Sequence, residues 1–382
     1  MTSSGPASCC LRAVAALGVL ALLVVTGGCG AHKLGPGAAG KANAPAPLPK
    51  VSVEAQAAFS EGLRVMRLGR KHYKEARQHF TRATELDGKL FEAWHDLGVL
   101  EAAMGNHESA ISSFRKALDL QPASRKTVLA YGETLRRARD PKKAAKLYQQ
   151  WLESDPADAD MRGRYGQMLR EAGDLESSLE QARTLLANAG ENIGKTVIAY
   201  NGLGLTYYKM GKLDLAETAL RKALDLDSKS AFVWNNLGLV AFERGHDQEA
   251  FLDFQRASEL DPKYVQARLN KAVVYLDCGD YKRARQELER AVEIDPNDAE
   301  AQVALGVAAR GDGKLDLARR AYQRALDIEP DYPPALYNLG LLYMDFDKDK
   351  LKAKDYLAQF AQASEATDPK RKDAEARLQE LK

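Results

Sequence analysis

Two periods run through this chain. The shorter is helical: apolar residues recur every three or four positions in brief stretches separated by Gly or by Asp-Pro. The longer is 34 residues, and residues 231–264, AFVWNNLGLVAFERGHDQEAFLDFQRASELDPKY, show it best. Trp234, Leu237, Gly238 and Ala241 stand at positions four, seven, eight and eleven and line one face of a first helix. Ala250, Phe254 and Ala257 stand at positions twenty, twenty-four and twenty-seven and line a second. Pro262, at position thirty-two, ends that helix, because proline disfavours helix in the residue before it. Small residues at positions eight, twenty and twenty-seven let neighbouring helices approach, and the large ones fill what remains. A two-helix hairpin of this size cannot cover its own apolar face, so it requires copies of itself on either side.

The copies are present. Residues 91–124 keep the register with Trp94, Leu97, Gly98, Ala110, Phe114, Ala117 and Pro122. Residues 125–158 carry Gly132, Ala144, Tyr148 and Pro156, with Trp151 at the small position twenty-seven. Residues 159–192 are weaker, with Ser178 and Leu185 in the second helix, and four extra residues, Ile193 to Thr196, follow them. Further copies cover 197–230, 231–264, 265–298, 299–332 and about 333–366. The first, roughly 51–90, has Gly62 two residues too far upstream of Ala76, which predicts a longer hairpin turn. Residues 367–382 begin at Asp368-Pro369 and set Ala374, Leu378 and Leu381 at helical spacing among charges, as a solubilising cap helix would. The break between the fourth and fifth copies divides the array, and one continuous superhelix with a local irregularity is expected there.

In every signature slot but the eleventh, residues 231–264 resemble the tetratricopeptide (TPR) repeat. The resemblance implies an all-α fold, a right-handed superhelical solenoid of about nine helix-turn-helix repeats spanning residues 51–366. It also implies that the first helix of each hairpin lines a concave surface where protein partners bind.

On that surface, positions two, five, nine and twelve form a stripe separate from the packing face. In repeats two to four it reads Glu92, His95, Val99, Ala102; Lys126, Leu129, Glu133, Arg136; Asp160, Gly163, Gln167, Arg170. In repeats five to nine it reads Ile198, Asn201, Leu205, Tyr208; Phe232, Asn235, Leu239, Phe242; Gln266, Leu269, Val273, Leu276; Glu300, Val303, Val307, Arg310; Pro334, Tyr337, Leu341, Met344. Three of twelve are apolar in the first set and fifteen of twenty in the second, so an apolar groove for a partner helix or extended segment belongs to the C-terminal half. Asn201 and Asn235 are placed to bond a partner's backbone. The competing reading is that these side chains are covered within the protein by neighbouring repeats or by the cap helix. Asn201, Asn235, Arg268 and Lys271 also bear a loose similarity to the carboxylate-binding set of some TPR domains. Lys271 replaces the apolar residue of position seven, and its stem is expected to pack while its ammonium reaches water.

The N-terminus is different in kind. Arg12 is followed by the unbroken apolar and glycine run Ala13 to Val25, and then by Thr26, Gly27, Gly28 and Cys29. That is the pattern of a secretory leader, residues 1–28. Small residues directly before a Cys resemble a bacterial lipobox, which implies lipidation of Cys29, and Gly30 in place of Asp favours the outer membrane facing the periplasm. Residues 29–50, rich in Ala, Gly and Pro, make a flexible tether of about 25 Å. An uncleaved signal anchor or an ordinary leader is the alternative. The whole is similar to TPR lipoproteins that help assemble envelope machines, such as type IV pilus pilotins of the PilF/Tgl kind. Motility components, outer-membrane protein assembly factors and regulators of peptidoglycan synthesis belong to the same class.

Composition adds limits. With 45% hydrophobic and 28% charged residues the chain has ample material for a core. A formal charge of +2 implies no strong attraction to nucleic acid. Gly194-Lys195-Thr196 follows a helix rather than a strand and lacks the first glycine of a phosphate-binding loop. The six His have no partners at zinc-ligand spacing. Arg136, Arg137, Arg139, Arg164 and Arg170 form a basic region that reads as a solvated face. No cofactor, metal, small-molecule substrate or catalytic residue is expected, and the reading is a binding scaffold, with an enzyme subunit and a cytosolic co-chaperone as the lesser alternatives.

Overall fold

The structure, a computed structural model, describes residues 52–381. Residues 1–50, to which the expected leader, the expected lipidation at Cys29 and the expected tether belong, lie outside the described residues. These residues fall in two compact units that divide between Met210 and Gly211. The division was expected near Ile193 to Thr196; it lies one helix later, because those four residues extend a helix instead of making a loop.

The unit up to Met210 holds nine α-helices: α1 (Val53–Met66), α2 (Tyr73–Leu86), α3 (Phe91–Ala103), α4 (His107–Leu120), α5 (Arg125–Arg137), α6 (Pro141–Ser154), α7 (Ala159–Glu171), α8 (Leu175–Ala187) and α9 (Ile193–Lys209). The unit from Gly211 holds ten: α10 (Leu213–Leu226), α11 (Ala231–Glu243), α12 (Asp247–Leu260), α13 (Val265–Asp277), α14 (Tyr281–Ile294), α15 (Ala299–Gly311), α16 (Leu315–Ile328), α17 (Pro333–Leu342), α18 (Lys350–Ala363) and α19 (Pro369–Glu380). No strand occurs among the described residues. Within each unit every helix packs on the next in sequence, and first helices also touch the first helices of adjacent repeats: α3 with α5, α7 with α9, α11 with α13, α13 with α15 and α15 with α17.

The packing inside a hairpin follows from one size rule. A Cβ on Gly238 would lie 2.7 Å from the Phe254 ring, and one on Gly98 would lie 2.7 Å from Phe114, so the aromatic at position twenty-four occupies the space that glycine leaves. The same fit joins Gly62 to Phe80 and Gly340 to Leu357. The first hairpin turn is longer, as its spacing predicts, and contains a short 3₁₀ turn, Arg70–His72. In the last hairpin the turn is a π-helical segment, Tyr343–Asp347, closed by Lys348 in the left-handed conformation at φ 56°.

Four junctions between repeats share a device. The donor at position four reaches back to a carbonyl six residues earlier: Trp94 Nε1 to Gly88 O at 3.0 Å, Arg162 Nη2 to Pro156 O at 2.9 Å, Trp234 Nε1 to Ser228 O at 2.9 Å and Arg268 Nη2 to Pro262 O at 3.1 Å. Trp and Arg are thus equivalent there: both have an apolar body that packs and an N–H that satisfies a turn carbonyl. Trp151 at the small position twenty-seven stays half-buried, with its Nε1 3.2 Å from Asp158 Oδ2.

Candidate partner-binding face

The stripe of first-helix positions divides by depth. In repeats six to eight, position five is spent on contacts within the array. Asn235 is fully buried, Leu269 is 1% exposed and Val303 3%. Leu239, at position nine, is 1% exposed. In the unit up to Met210, Leu205 and Tyr208 are buried and Asn201 is half-buried. The remaining candidates, Phe232, Phe242, Val273, Leu276, Val307, Tyr337, Leu341 and Met344, are all half-buried. None of the fifteen is fully exposed. Sequence spacing places a residue on a face, but the depth of that face depends on how closely successive first helices approach, which periodicity alone does not encode.

Asn235 is not offered to a backbone. Its Oδ1 accepts from Asn270 Nδ2 at 2.8 Å, and its Nδ2 donates to Asn236 Oδ1 at 3.3 Å. Gln266 Nε2 donates to Asn270 Oδ1 at 3.3 Å, so a row of buried amides crosses from α11 to α13. The carboxylate-binding similarity fails for a related reason. Lys271 Nζ lies 2.8 Å from Glu287 Oε1 and Arg268 Nη1 lies 3.0 Å from Glu287 Oε2, so α14 of the same repeat supplies their carboxylate. The side chains of Lys271 and Glu287 are each only 11% exposed. The ammonium was expected to reach water; it is instead buried in an ion pair.

The cap helix α19 packs where a tenth first helix would stand. Asp368 caps it by accepting from Lys370 N at 2.8 Å, and Ala374 is fully buried. It also covers the end of the stripe. Tyr337 OH donates to Asp373 Oδ2 at 2.7 Å, Lys370 Nζ lies 5.5 Å from the Tyr337 ring centroid, and Arg377 approaches Met344. Burial, followed by the hydrogen bond to Asp373, pushes the Tyr337 hydroxyl up to about 12.

In repeats two to four the stripe is mostly polar and largely self-neutralised. Arg136 and Arg137 pair with Glu133 at 2.7 and 3.0 Å, and Arg164 pairs with Asp160 at 3.2 Å. Arg170 is buried and donates to Ser178 Oγ at 3.2 Å. Ser178 also donates to Gly166 O at 2.9 Å, and its hydroxyl lies 3.0 Å from that of Thr206. The weak fourth repeat therefore packs with a polar knot where its neighbours use alanine. His95 lies in the core, with Nδ1 3.0 Å from Thr127 Oγ1, and burial lowers its pKa to about 4. Asn192 Oδ1 caps α9 by accepting from Lys195 N at 3.0 Å, which accounts for the Gly194-Lys195-Thr196 run as the first turn of a helix.

Among the described residues no helix is long and apolar enough to cross a membrane. No cluster of His, Cys, Asp and Glu among them is placed to hold a metal ion.

Matches to known families cover most of the array. Residues 83–196 match the family described as cytochrome c-type biogenesis protein H TPR domain. Residues 197–230, 241–306, 312–345 and 334–363 each match a tetratricopeptide-repeat family. The chain is a tetratricopeptide-repeat protein. Among solved structures, a chain of the APC/C hetero-tetramer Cut9–Hcn1 matches at a TM-score of 0.52 and 17% identity, over 87% of this chain and 70% of that one. That likeness is one of fold. PilF of Pseudomonas aeruginosa matches at 0.48 and 21% identity, over 58% of this chain and 98% of its own. MamA of Desulfovibrio magneticus RS-1 matches at 0.41 and 24%, over 46% and 99%. TPR arrays are scaffolds for protein interaction, and this TPR protein is one by its repeats.

Proposed function

We propose that this TPR protein is a lipid-anchored scaffold of the outer membrane, facing the periplasm, that helps assemble or stabilise an envelope complex such as a type IV pilus, secretin or motility machine. It acts by binding, with no catalytic step of its own. The address rests on the N-terminal sequence, where an apolar run and Gly27-Gly28 precede Cys29. The binding reading rests on one observation: Phe242, Val273, Leu276, Val307 and Leu341 follow one another along the first helices of the unit from Gly211, all apolar and all half-buried. Residues needed only for the hairpin, such as Phe254 and Ala257, are fully covered by contrast. A row left half-open in the chain alone is suited to an apolar partner segment.

The test is cross-linking in the native envelope with Phe242→Ser and Leu276→Ser, monitored alongside thermal melts. The two variants are expected to lose the captured partner while melting within a few degrees of wild type. Leu239→Ser is the control for a core defect, since Leu239 is 1% exposed. Intact capture by both half-buried variants would refute the groove. Palmitate labelling of wild type and Cys29→Ala tests the anchor separately.

A further inference from the structure

Two cations at the cap end of the apolar row have no carboxylate within ion-pair distance among the described residues. Arg310 is at position twelve of α15, in register with Phe242, Leu276 and Met344, and is half-buried. Lys370, in the first turn of α19, is half-buried against the Tyr337 ring. Most other half-buried cations of this unit have a carboxylate: Arg244 with Asp214, Arg268 and Lys271 with Glu287, Arg285 with Asp312, and Arg319 with Asp347, all between 2.6 and 3.0 Å, while Arg324 donates to Asn297 Oδ1 at 3.3 Å. Asp368 and Asp373, which flank Lys370 in sequence, are already engaged. Asp373 accepts from Tyr337 OH and from Arg377 Nε, both at 2.7 Å, and Asp368 caps α19.

Arg310 and Lys370 also act on each other. Burial lowers the Lys370 pKa, and the Arg310 charge lowers it further against the opposing effect of Asp368. Two like charges held half out of water oppose folding, and a bound anion would relieve both. Resting on the groove reading above, we infer that Arg310 and Lys370 receive a side-chain carboxylate of the partner segment that lies along Val307 and Leu341, up to the edge of the cap helix. The partner is thus an apolar segment carrying Asp or Glu, and the charge complementarity fixes its register on the row.

The test uses the full chain and an array of N-acetylated, C-amidated apolar peptides carrying Glu or Gln at one scanned position, with unblocked copies beside them. Wild type should bind the Glu peptides about tenfold more tightly than their Gln counterparts. That advantage should shrink with added salt and vanish in Arg310→Gln and Lys370→Gln. Arg310→Gln should melt at or above the wild-type temperature, because it removes a repulsion. Equal binding of Glu and Gln peptides by wild type would overturn the inference and leave the groove standing. Binding only to peptides with a free terminal carboxylate would overturn it in favour of chain-end recognition. A marked loss of stability in Arg310→Gln would make Arg310 structural and overturn it too. Failure of wild type to bind any peptide would remove the groove reading, and the inference with it.

Discussion

The side-chain amide of Asn270 donates to that of Asn235 at 2.8 Å, joining the first helices of two successive repeats where Asn235 meets no solvent. A buried amide held on both sides adds specificity of register, because sliding α13 along α11 would break it. Replacing one partner leaves the other unsatisfied. Asn270→Leu is expected to destabilise the protein by about 1–3 kcal/mol, and Asn235→Leu by a similar amount. The double variant should cost less than the sum of the two. Urea unfolding of the four proteins measures the coupling, and strictly additive losses would show that the bond contributes nothing.

The Lys271–Glu287–Arg268 cluster makes an asymmetric prediction. Glu287→Ala strands two cations at positions about nine-tenths buried and should cost roughly 3–5 kcal/mol. Lys271→Leu with Glu287→Gln restores the apolar residue usual at position seven and should lie much closer to wild type. If Glu287→Ala were as stable as wild type, the two cations would be finding water, and the pair would have no structural weight. Differential scanning calorimetry separates the cases.

Asp253 on α12 predicts a pH dependence of unusual sign. It is 7% exposed, its Oδ2 has no hydrogen-bond partner, and burial, followed by the nearby Glu249 charge, raises its pKa to about 7. Arg221 opposes the rise and Glu217 adds to it. The folded state therefore holds this proton more tightly than the unfolded chain does. Its contribution to stability is full below the unfolded carboxylate pKa and is lost as pH rises through about 7. Asp253→Asn should raise the melting temperature at pH 8 and change little at pH 4. Paired carboxylates such as Glu217, held low by Arg221, act in the opposite direction and are common to both proteins, so the difference between wild type and variant isolates Asp253. A variant that melts with the wild type at both pH values would refute the assignment.

The fold was legible because its signature is set by size. Gly238 and Phe254, or Gly98 and Phe114, are complementary in volume, and complementary volumes recur at fixed spacing. Even the longer first turn followed from counting back from Ala76 to Gly62. The candidate face was legible only as a stripe. Phe242 and Leu276 lie on it half-open, whereas Leu239 and Leu269 lie on it in the core. What separates them is the approach of α11 to α13, a distance that no local pattern records. Lys271 was misread for the same reason: its partner Glu287 is sixteen residues away on α14, and only the closed hairpin brings them together. Within repeats five to nine Arg310 is the lone cation at position twelve of an otherwise apolar column, which the sequence shows, but that it has no carboxylate is a property of the folded surroundings.

Gly238 gives the sharpest check on the packing rule. The Phe254 ring stands where a Cβ on residue 238 would point, and the Ala250 carbonyl oxygen lies 3.2 Å from that Cβ. Phe254 is 1% exposed and Ala250 fully buried, so neither has room to withdraw. Gly238→Ala is therefore expected to destabilise by about 1–3 kcal/mol through overpacking, even though alanine is the better helix former by about 1 kcal/mol. Shrinking the aromatic should recover part of the loss: Phe254→Leu alone opens a cavity, but Gly238→Ala with Phe254→Leu fills some of it. The signature thus predicts compensation, with the double variant more stable than the sum of the two single losses. Gly166 provides the contrast. A Cβ there would meet Ser178 and Gln181 at an ordinary 3.7 Å, so Gly166→Ala should be neutral or stabilising. Thermal melts of both glycine variants decide the matter, and equal shifts at the two positions would mean that backbone propensity, and not the fit of ring to glycine, governs position eight.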